Sequence, residues 1–558
     1  MEHAFGDPED AANPVGFAAL LAADARHEVP QEAERLLDGL RLGSEFVPVA
    51  LGGRLDRADA VARVLRPVFR RDVALGFGYG ITSLFAAAPV WAAGSASQRA
   101  WLSQLLRDGG RVSVVHHNLA HGNTMWQGEL TARRAGRALV LDGRKDAVIN
   151  AERSGAFVVY ARTGEGHGPG AHSVLLVPGG EGRPAGLRVL PRQLSSGMRG
   201  CRFAGLELAN AAVPGDAMVG EPGGGALLAL RTFQLNRALI SSAVLGCADT
   251  ALRHAVAVLP SGRGGVSRGG RQRAVVAGVF ADLLLCDAMA TVVLRSLHAL
   301  PDSGHLGAAA VKYLVPDLVR EDLEELGTVL GAPGFRRDGE RGHLQKLLRD
   351  LPAAGLGHMG TAACQAVLLP QLPFLAAESW ERDPEPPEAL FRCSAPLEPL
   401  DLAGLAVAGG SDFLVASLVG AVERLRDTAN LSGYGPVLRA FAEGFRTQLL
   451  DVRAGFAALA ARGPGALAGP AACALADRYV LVAAAGAVLG CWLRQDGGDP
   501  FLTDPAWPVL ALSRLAGRLG MAGPELPAGC VERVFNEVAG RFREGRSFDL
   551  HAAPLWER

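Results

Sequence analysis

The sequence predicts an α+β fold, and three observations predict it. Apolar residues recur at three- and four-residue intervals up to about residue 110. Short Val- and Leu-rich runs, divided by Gly, Pro and Asn or Asp, fill residues 111–222. Helical spacing then returns and lasts to the end of the chain. The expected order is an N-terminal helical domain (1–110), a small antiparallel β domain (111–222), a C-terminal four-helix bundle (223–378) and an additional helical domain (400–558).

In the first domain Ala60, Val61, Val64 and Leu65 share one helical face, with Asp59 as the expected N-cap and Pro67 as the expected kink or end. Gly76-Phe77-Gly78-Tyr79-Gly80 lacks the βαβ frame of a dinucleotide fingerprint and reads as glycine-mediated helix packing. Ser97–Leu106 reads as a helix with Trp101 and Leu105 inward. In the β domain, Asp142-Gly143 is the clearest hairpin signal, because Asp-Gly supplies the positive φ angles of a type I′ turn. Beyond Pro222, helices are expected over Leu227–Val258, Arg273–Leu300, Gly307–Leu330 and Ala362–Ala377. Ser379–Pro399 reads as a linker. Five more helices are expected over Phe413–Asn430, Pro436–Ala460, Ala471–Leu493, Ala506–Arg518 and Val531–Glu544.

Composition narrows the function. The 558 residues carry a formal net charge of -1, and the aromatic share is 6%. A nucleic-acid binder ordinarily shows a basic face or stacking platforms, so that class is excluded. The eight cysteines form no C-x-x-C pair, which argues for buried thiols over disulfides or zinc. The longest apolar run, Tyr479–Leu493, is short of the roughly 20 residues of a membrane span, and the acidic N-terminus lacks signal-peptide features. A cytoplasmic protein without a membrane span is the expectation. Basic residues are nearly all Arg, with Lys only at 145, 312 and 346.

Several strings, in order, resemble the acyl-CoA dehydrogenase superfamily. They are Ala93–Gln98 before Leu102, Leu141-Asp142-Gly143-Arg144-Lys145 with Ile149-Asn150, Gly197-Met198-Arg199-Gly200, Val213-Pro214 with Gly220-Glu221, Phe233–Arg237, and Leu347–Asp350 with Gly360-Thr361 and Gln365. The resemblance runs from about residue 60 to 380 and implies the family's three-domain fold. It also implies FAD and the family's chemistry, in which a carboxylate removes a proton α to a thioester carbonyl while the β hydrogen leaves as hydride.

The departures are chemical. Aligned on Gly360-Thr361, Met359 takes the place of the family's glutamate base, and a one-residue shift puts His358 there. The alternative glutamate position is Asn236. By this resemblance His358 is the candidate acid/base and Arg237 its electrostatic partner. The flavin contacts would fall to His117, Asn118, Gly122, Asn123, Arg263, Thr361 and Gln365, leaving FAD binding weakened or lost. His116, His117 and His121 lack an acidic third ligand, so no metal site is expected. Gly265-Val266-Ser267-Arg268-Gly269 lacks the strand that a hydrolase elbow requires and reads as a flexible loop.

The expected function is a flavin-dependent oxidoreductase acting on an acyl thioester, carried on CoA or an acyl carrier protein, in specialised metabolism. A homodimer or homotetramer is expected. The competing class is the same scaffold without flavin redox chemistry, either a non-redox cyclase or isomerase or a silent partner subunit.

Overall fold

The computed structural model describes residues 1–116, 127–166, 168–259, 269–337, 339–356, 361–428 and 433–556, without the side chains of residues 333, 339–341, 356 and 361. Contacts divide the chain into two compact units. One comprises residues 1–236 with 399–407; the other comprises 237–398 with 408–558. Helices plus a mixed sheet make the fold α+β.

The first unit begins with short helices and then the Ala58–Arg71 helix. Pro67 does not end it: the helix runs four residues further, to Arg71. Pro67 removes only one hydrogen bond. Burial of Val61, Leu65, Val68 and Phe69 outweighs that loss. The cap is Arg57 rather than Asp59, whose carboxylate instead takes the Arg57 guanidinium at 2.6 Å. Gly76–Ile81 forms a π-helical turn. Its backbone is held by Asn150 Nδ2 donating to the Gly78 carbonyl, while Cys201 Sγ donates to the Ala74 carbonyl at 3.1 Å. In the Ala96–Arg107 helix, Leu102 and Leu106 point inward. Trp101 is 40% exposed, because it lies one position off that buried stripe.

Among the described residues eight strands form the sheet: β1 (Val112–Val115), β2 (Thr131–Ala135), β3 (Ala138–Ile149), β4 (Ala156–Arg162), β5 (His172–Pro178), β6 (Leu187–Gln193), β7 (Phe203–Pro214) and β8 (Met218–Val219). Their order is β6-β7-β3-β2-β4-β5-β8, with β1 against β4. The sheet is mixed rather than antiparallel throughout, since β1 and β4 run parallel over four pairs. Asp142-Gly143 is not a hairpin turn. The β2–β3 turn lies at Gly136, and Gly143 sits inside β3 as a bulge facing β7. Its φ is 134°, and a Cβ there would meet the Leu130 Cα at 2.7 Å. Close approach of backbones, not chain reversal, demands glycine at this position. Gly143→Val is therefore expected to cost about 2–4 kcal/mol in thermal unfolding. Gly136→Ala, at φ 61° with nothing within 4 Å of the added Cβ, should cost about 1 kcal/mol.

The second unit, whose boundary at residue 237 falls inside the Gly225–Ala243 helix, is helical. The helix expected over Leu227–Val258 is two helices, Gly225–Ala243 and Leu245–Ala257. Ser241 back-bonds to the Arg237 carbonyl, and Cys247 N reaches only to Val244, which breaks the regular ladder. Gly269–Ala299 and Gly304–Leu330 form the longest pair. Thr361–Leu368 and Leu372–Glu378 are separated at Pro370, which has no N–H to continue the first helix. Gly339–Asp350 is a helix the periodicity did not reveal. Beyond residue 408 the helices are Phe413–Asp427, Gly435–Ala460, Pro470–Leu493, Ala506–Leu519 and Cys530–Arg543. Among the described residues three helices are long and apolar enough to cross a membrane, which the run-length reading did not register: Val73–Ala93, Gly269–Ala299 and Pro470–Leu493. The apolar windows of these helices are 100%, 94% and 67% buried in the fold itself.

Candidate functional site

The two units each place part of the chemistry. In the first, β1 ends at Val115 and delivers His116, which is buried, to the edge of an aromatic group. The His116 ring lies 6.2 Å from Tyr160 on β4 and 6.1 Å from Phe233, and the last two rings are 6.5 Å apart. Lys145 on β3, 1% exposed, donates to the His116 carbonyl at 3.1 Å. Burial brings the Lys145 ammonium down to about 8, against the pull of Asp146 and Glu129. Burial likewise pushes the Tyr160 phenol above its ordinary range. The backbone entering residue 117 is thus anchored from two strands. His117, Asn118, Gly122 and Asn123 follow at once, and they lie outside the described residues.

In the second unit, Arg237 follows Asn236 in the Gly225–Ala243 helix and is 1% exposed. Among the described residues, its Nε and Nη2 donors meet no acceptor. Lys312, on the Gly304–Leu330 helix, is fully buried and gives its ammonium to the Ala354 carbonyl. Burial brings Lys312 down to about 8; Cys364 and Asp317 oppose this and Arg237 adds to it. Both are buried cations of the helical unit. Asn236 carries no charge to offset them, and His358 and Met359 lie outside the described residues, as does Arg263.

Thr361 starts the Thr361–Leu368 helix, without a described side chain. Gln365, one turn on, has a different engagement from a flavin contact. Its amide donates to the Tyr313 hydroxyl and to Asp477 Oδ1, both at 2.9 Å, and Tyr313 also donates to Asp477. Burial, reinforced by that carboxylate, pushes the Tyr313 phenol above its ordinary range. Of the nine residues proposed from sequence, the described structure places only Arg237 and Gln365 by side chain, and it shows no contact joining them.

Sequence reasoning missed Lys312, Lys145 and Cys364. A signal existed: the chain has only three lysines, and all three are buried, Lys346 in a 2.7 Å pair with Asp350. No described group of His, Cys, Asp and Glu could hold a metal ion.

Helices flanking a mixed sheet, followed by a long-helix unit, define the architecture of an acyl-CoA-dehydrogenase-like protein. Residues 121–211 match the family model "acyl-CoA dehydrogenase, middle domain". The human mitochondrial short-chain specific acyl-CoA dehydrogenase is 29% identical over 242 residues, covering 43% of this chain and 58% of that enzyme. An acyl-CoA dehydrogenase from Bacillus anthracis, complexed with FAD, superposes with a TM-score of 0.70 at 14% identity, over 98% of this chain and 97% of that one. The prolyl acyl carrier protein oxidase AnaB gives 0.56 at 19% identity, over 62% and 92%. The chain belongs to the acyl-CoA dehydrogenase superfamily. The likeness to the Bacillus protein spans nearly the whole chain, so the helices beyond residue 408 belong to an arrangement already seen in that fold.

Proposed function

We propose that the chain is a flavin-dependent oxidoreductase acting on an acyl thioester, carried on CoA or an acyl carrier protein, in specialised metabolism. The observation that carries this reading is the orphaned Arg237 guanidinium, on the helix where the superfamily motif resembles this chain. Two buried N–H donors without acceptors fit a bound group rich in carbonyl oxygens, such as an isoalloxazine ring or a thioester. The Gln365 amide, already engaged by Tyr313 and Asp477, does not fit such a role. The relatives support the class: the human one is named an acyl-CoA dehydrogenase, the Bacillus one was solved with FAD, and AnaB is named for a carrier-protein substrate.

FAD, when bound, supplies the acceptor for the β hydrogen. The chain's own residues do the rest. Neither Met359 nor Asn236 can hold a proton usefully at neutral pH, which leaves His358 to take the α proton. The buried positive charge of Arg237 lowers the cost of the negative charge that then develops on the thioester. The engagement of Gln365 and the absence of a carboxylate at 236 and 359 favour the second reading, a scaffold without flavin chemistry that works as a cyclase, isomerase or partner subunit. We place the protein in the cytoplasm as a homodimer or homotetramer, for which exposed Phe335 and Phe374 supply apolar contact area.

An absorbance spectrum of the purified protein separates the two readings. Flavin bands near one FAD per chain are expected, with His358→Ala lowering turnover at least about a hundredfold while leaving the bands in place. A colourless protein that FAD cannot reconstitute removes the redox reading, and unchanged turnover in His358→Ala removes that residue from the reaction. Sedimentation gives the oligomeric state.

A further inference from the structure

Helices shorter than about a dozen residues are marginal by themselves and depend on what they are tied to. The Thr361–Leu368 helix has 8 residues and the Pro352–Leu356 helix has 5. Residues 357–360, which include the candidate base His358, lie between them in the sequence. Both short helices are tied to one neighbour, the 27-residue Gly304–Leu330 helix, through two consecutive side chains. Upstream, the fully buried Lys312 ammonium donates to the Ala354 carbonyl. Downstream, the Tyr313 hydroxyl accepts from Gln365 Nε2 at 2.9 Å. The downstream tie has a third member, Asp477, on the Pro470–Leu493 helix beyond the bundle. Its Oδ1 accepts from Gln365 Nε2 at 2.9 Å and from the Tyr313 hydroxyl. A carboxamide has two N–H groups, one for each acceptor, while the phenol donates its own proton to the carboxylate. Three bonds thus close a ring, charge-assisted at Asp477. Cys364 and Leu368 are fully buried, so packing holds the inner side of the Thr361–Leu368 helix and the ring ties the half-buried side.

We propose that Gln365, Tyr313 and Asp477, with Lys312, are positioning residues that fix both flanks of residues 357–360 for the reaction. This rests on the acyl-thioester reading above, in which His358 takes the α proton, and it gives the C-terminal extension a part in that step. A base must stay within hydrogen-bond reach of the proton it removes. A misplacement of about 1 Å can cost a hundredfold in rate. Tying both flanks to one long helix limits that freedom. The glutamine at the motif position then serves the placement of the site rather than the cofactor.

Amide exchange, followed by mass spectrometry on the full-length chain, reads the anchoring. Turnover of butyryl-CoA with a dye as electron acceptor reads its effect. Gln365→Met and Asp477→Ala are each expected to speed exchange across residues 352–369 at least about fivefold, with the Gly269–Ala299 and Gly435–Ala460 helices unchanged. The double variant should be no faster than either single one, because each breaks the same ring. Asp477→Asn keeps an acceptor oxygen and should recover part of the protection. In the single variants kcat should fall at least about tenfold, with KM within about twofold and the flavin bands in place. Lys312→Met should act likewise. A tie that is only structural would instead move KM, bound flavin and exchange throughout the helical unit together.

Unchanged exchange over residues 352–369 in Gln365→Met and Asp477→Ala overturns the proposal, as do additive effects of the two. Faster exchange there with kcat unchanged also overturns it, since the flanks would be held without consequence for the reaction. If Lys312→Met does not fold, the Gln365 and Asp477 variants decide alone. A parent chain inactive on butyryl-CoA counts against the thioester reading and not against the ring, which the exchange measurement decides by itself.

Discussion

Arg514→Leu is expected to destabilise the helical unit by about 3–5 kcal/mol at neutral pH. The reason is a buried charge cluster. Asp282 on the Gly269–Ala299 helix and Asp322 on the Gly304–Leu330 helix are both fully buried. Two arginines of the Ala506–Leu519 helix reach them. Arg514 Nε lies 2.6 Å from Asp282 and its Nη2 3.5 Å from Asp322, while Arg518 lies 3.0 Å from Asp282. Arg514 also passes close over Gly278, where a Cβ would meet its Nη1 at 2.7 Å. Burial and the neighbouring Asp282 push the Asp322 carboxyl well above its usual range. A carboxyl whose folded pKa is raised penalises the folded state above that pKa, and the penalty is relieved as pH falls through it. The loss in Arg514→Leu should therefore shrink as pH falls through the raised Asp322 pKa, as read from urea-unfolding midpoints taken across a pH series. A loss below about 1 kcal/mol at pH 7 would mean that the cluster is solvated in solution.

A second large effect is expected at Asp412, which caps the Phe413–Asp427 helix by accepting from Val415 N at 3.2 Å. The same carboxylate accepts from the Trp380 indole at 3.1 Å and the Tyr479 hydroxyl at 2.8 Å, and those two rings stack with centroids 5.6 Å apart. Asp412→Ala orphans three buried donors at once and should cost about 3–5 kcal/mol. Desolvation outweighs those hydrogen bonds and brings the carboxyl up from 3.8 to about 6. Because the folded pKa is the raised one, stability should increase as pH falls from about 7 toward 4, by up to about 3 kcal/mol from this group. Asp412→Asn should flatten that slope in unfolding curves taken across the window. An unchanged slope would remove Asp412 as its source.

The candidate site was legible in the sequence only where it resembled a known pattern. Arg237 was reached through the resemblance of Phe233–Arg237, and the structure buries it well inside the Gly225–Ala243 helix. Lys312 did not stand out, since one lysine among apolar neighbours carries no local mark of the carbonyl it will meet. Gln365 matched a motif by position, yet its partner Asp477 lies 112 residues away and no spacing rule links them.

The sequence alone determined most of the long helices and most strands, because their periodicity is set by residues three, four or two positions apart and is complete within a dozen residues. It also determined the superfamily, through motifs in fixed order. Only the tertiary structure decided that Asp142-Gly143 is a bulge and not a turn, and that Pro67 lies within a continuing helix. It alone showed Arg237 buried with its Nε and Nη2 donors lacking an acceptor among the described residues. Those outcomes depend on which distant segment covers each residue, and burial energies of several kcal/mol override local preferences worth about one.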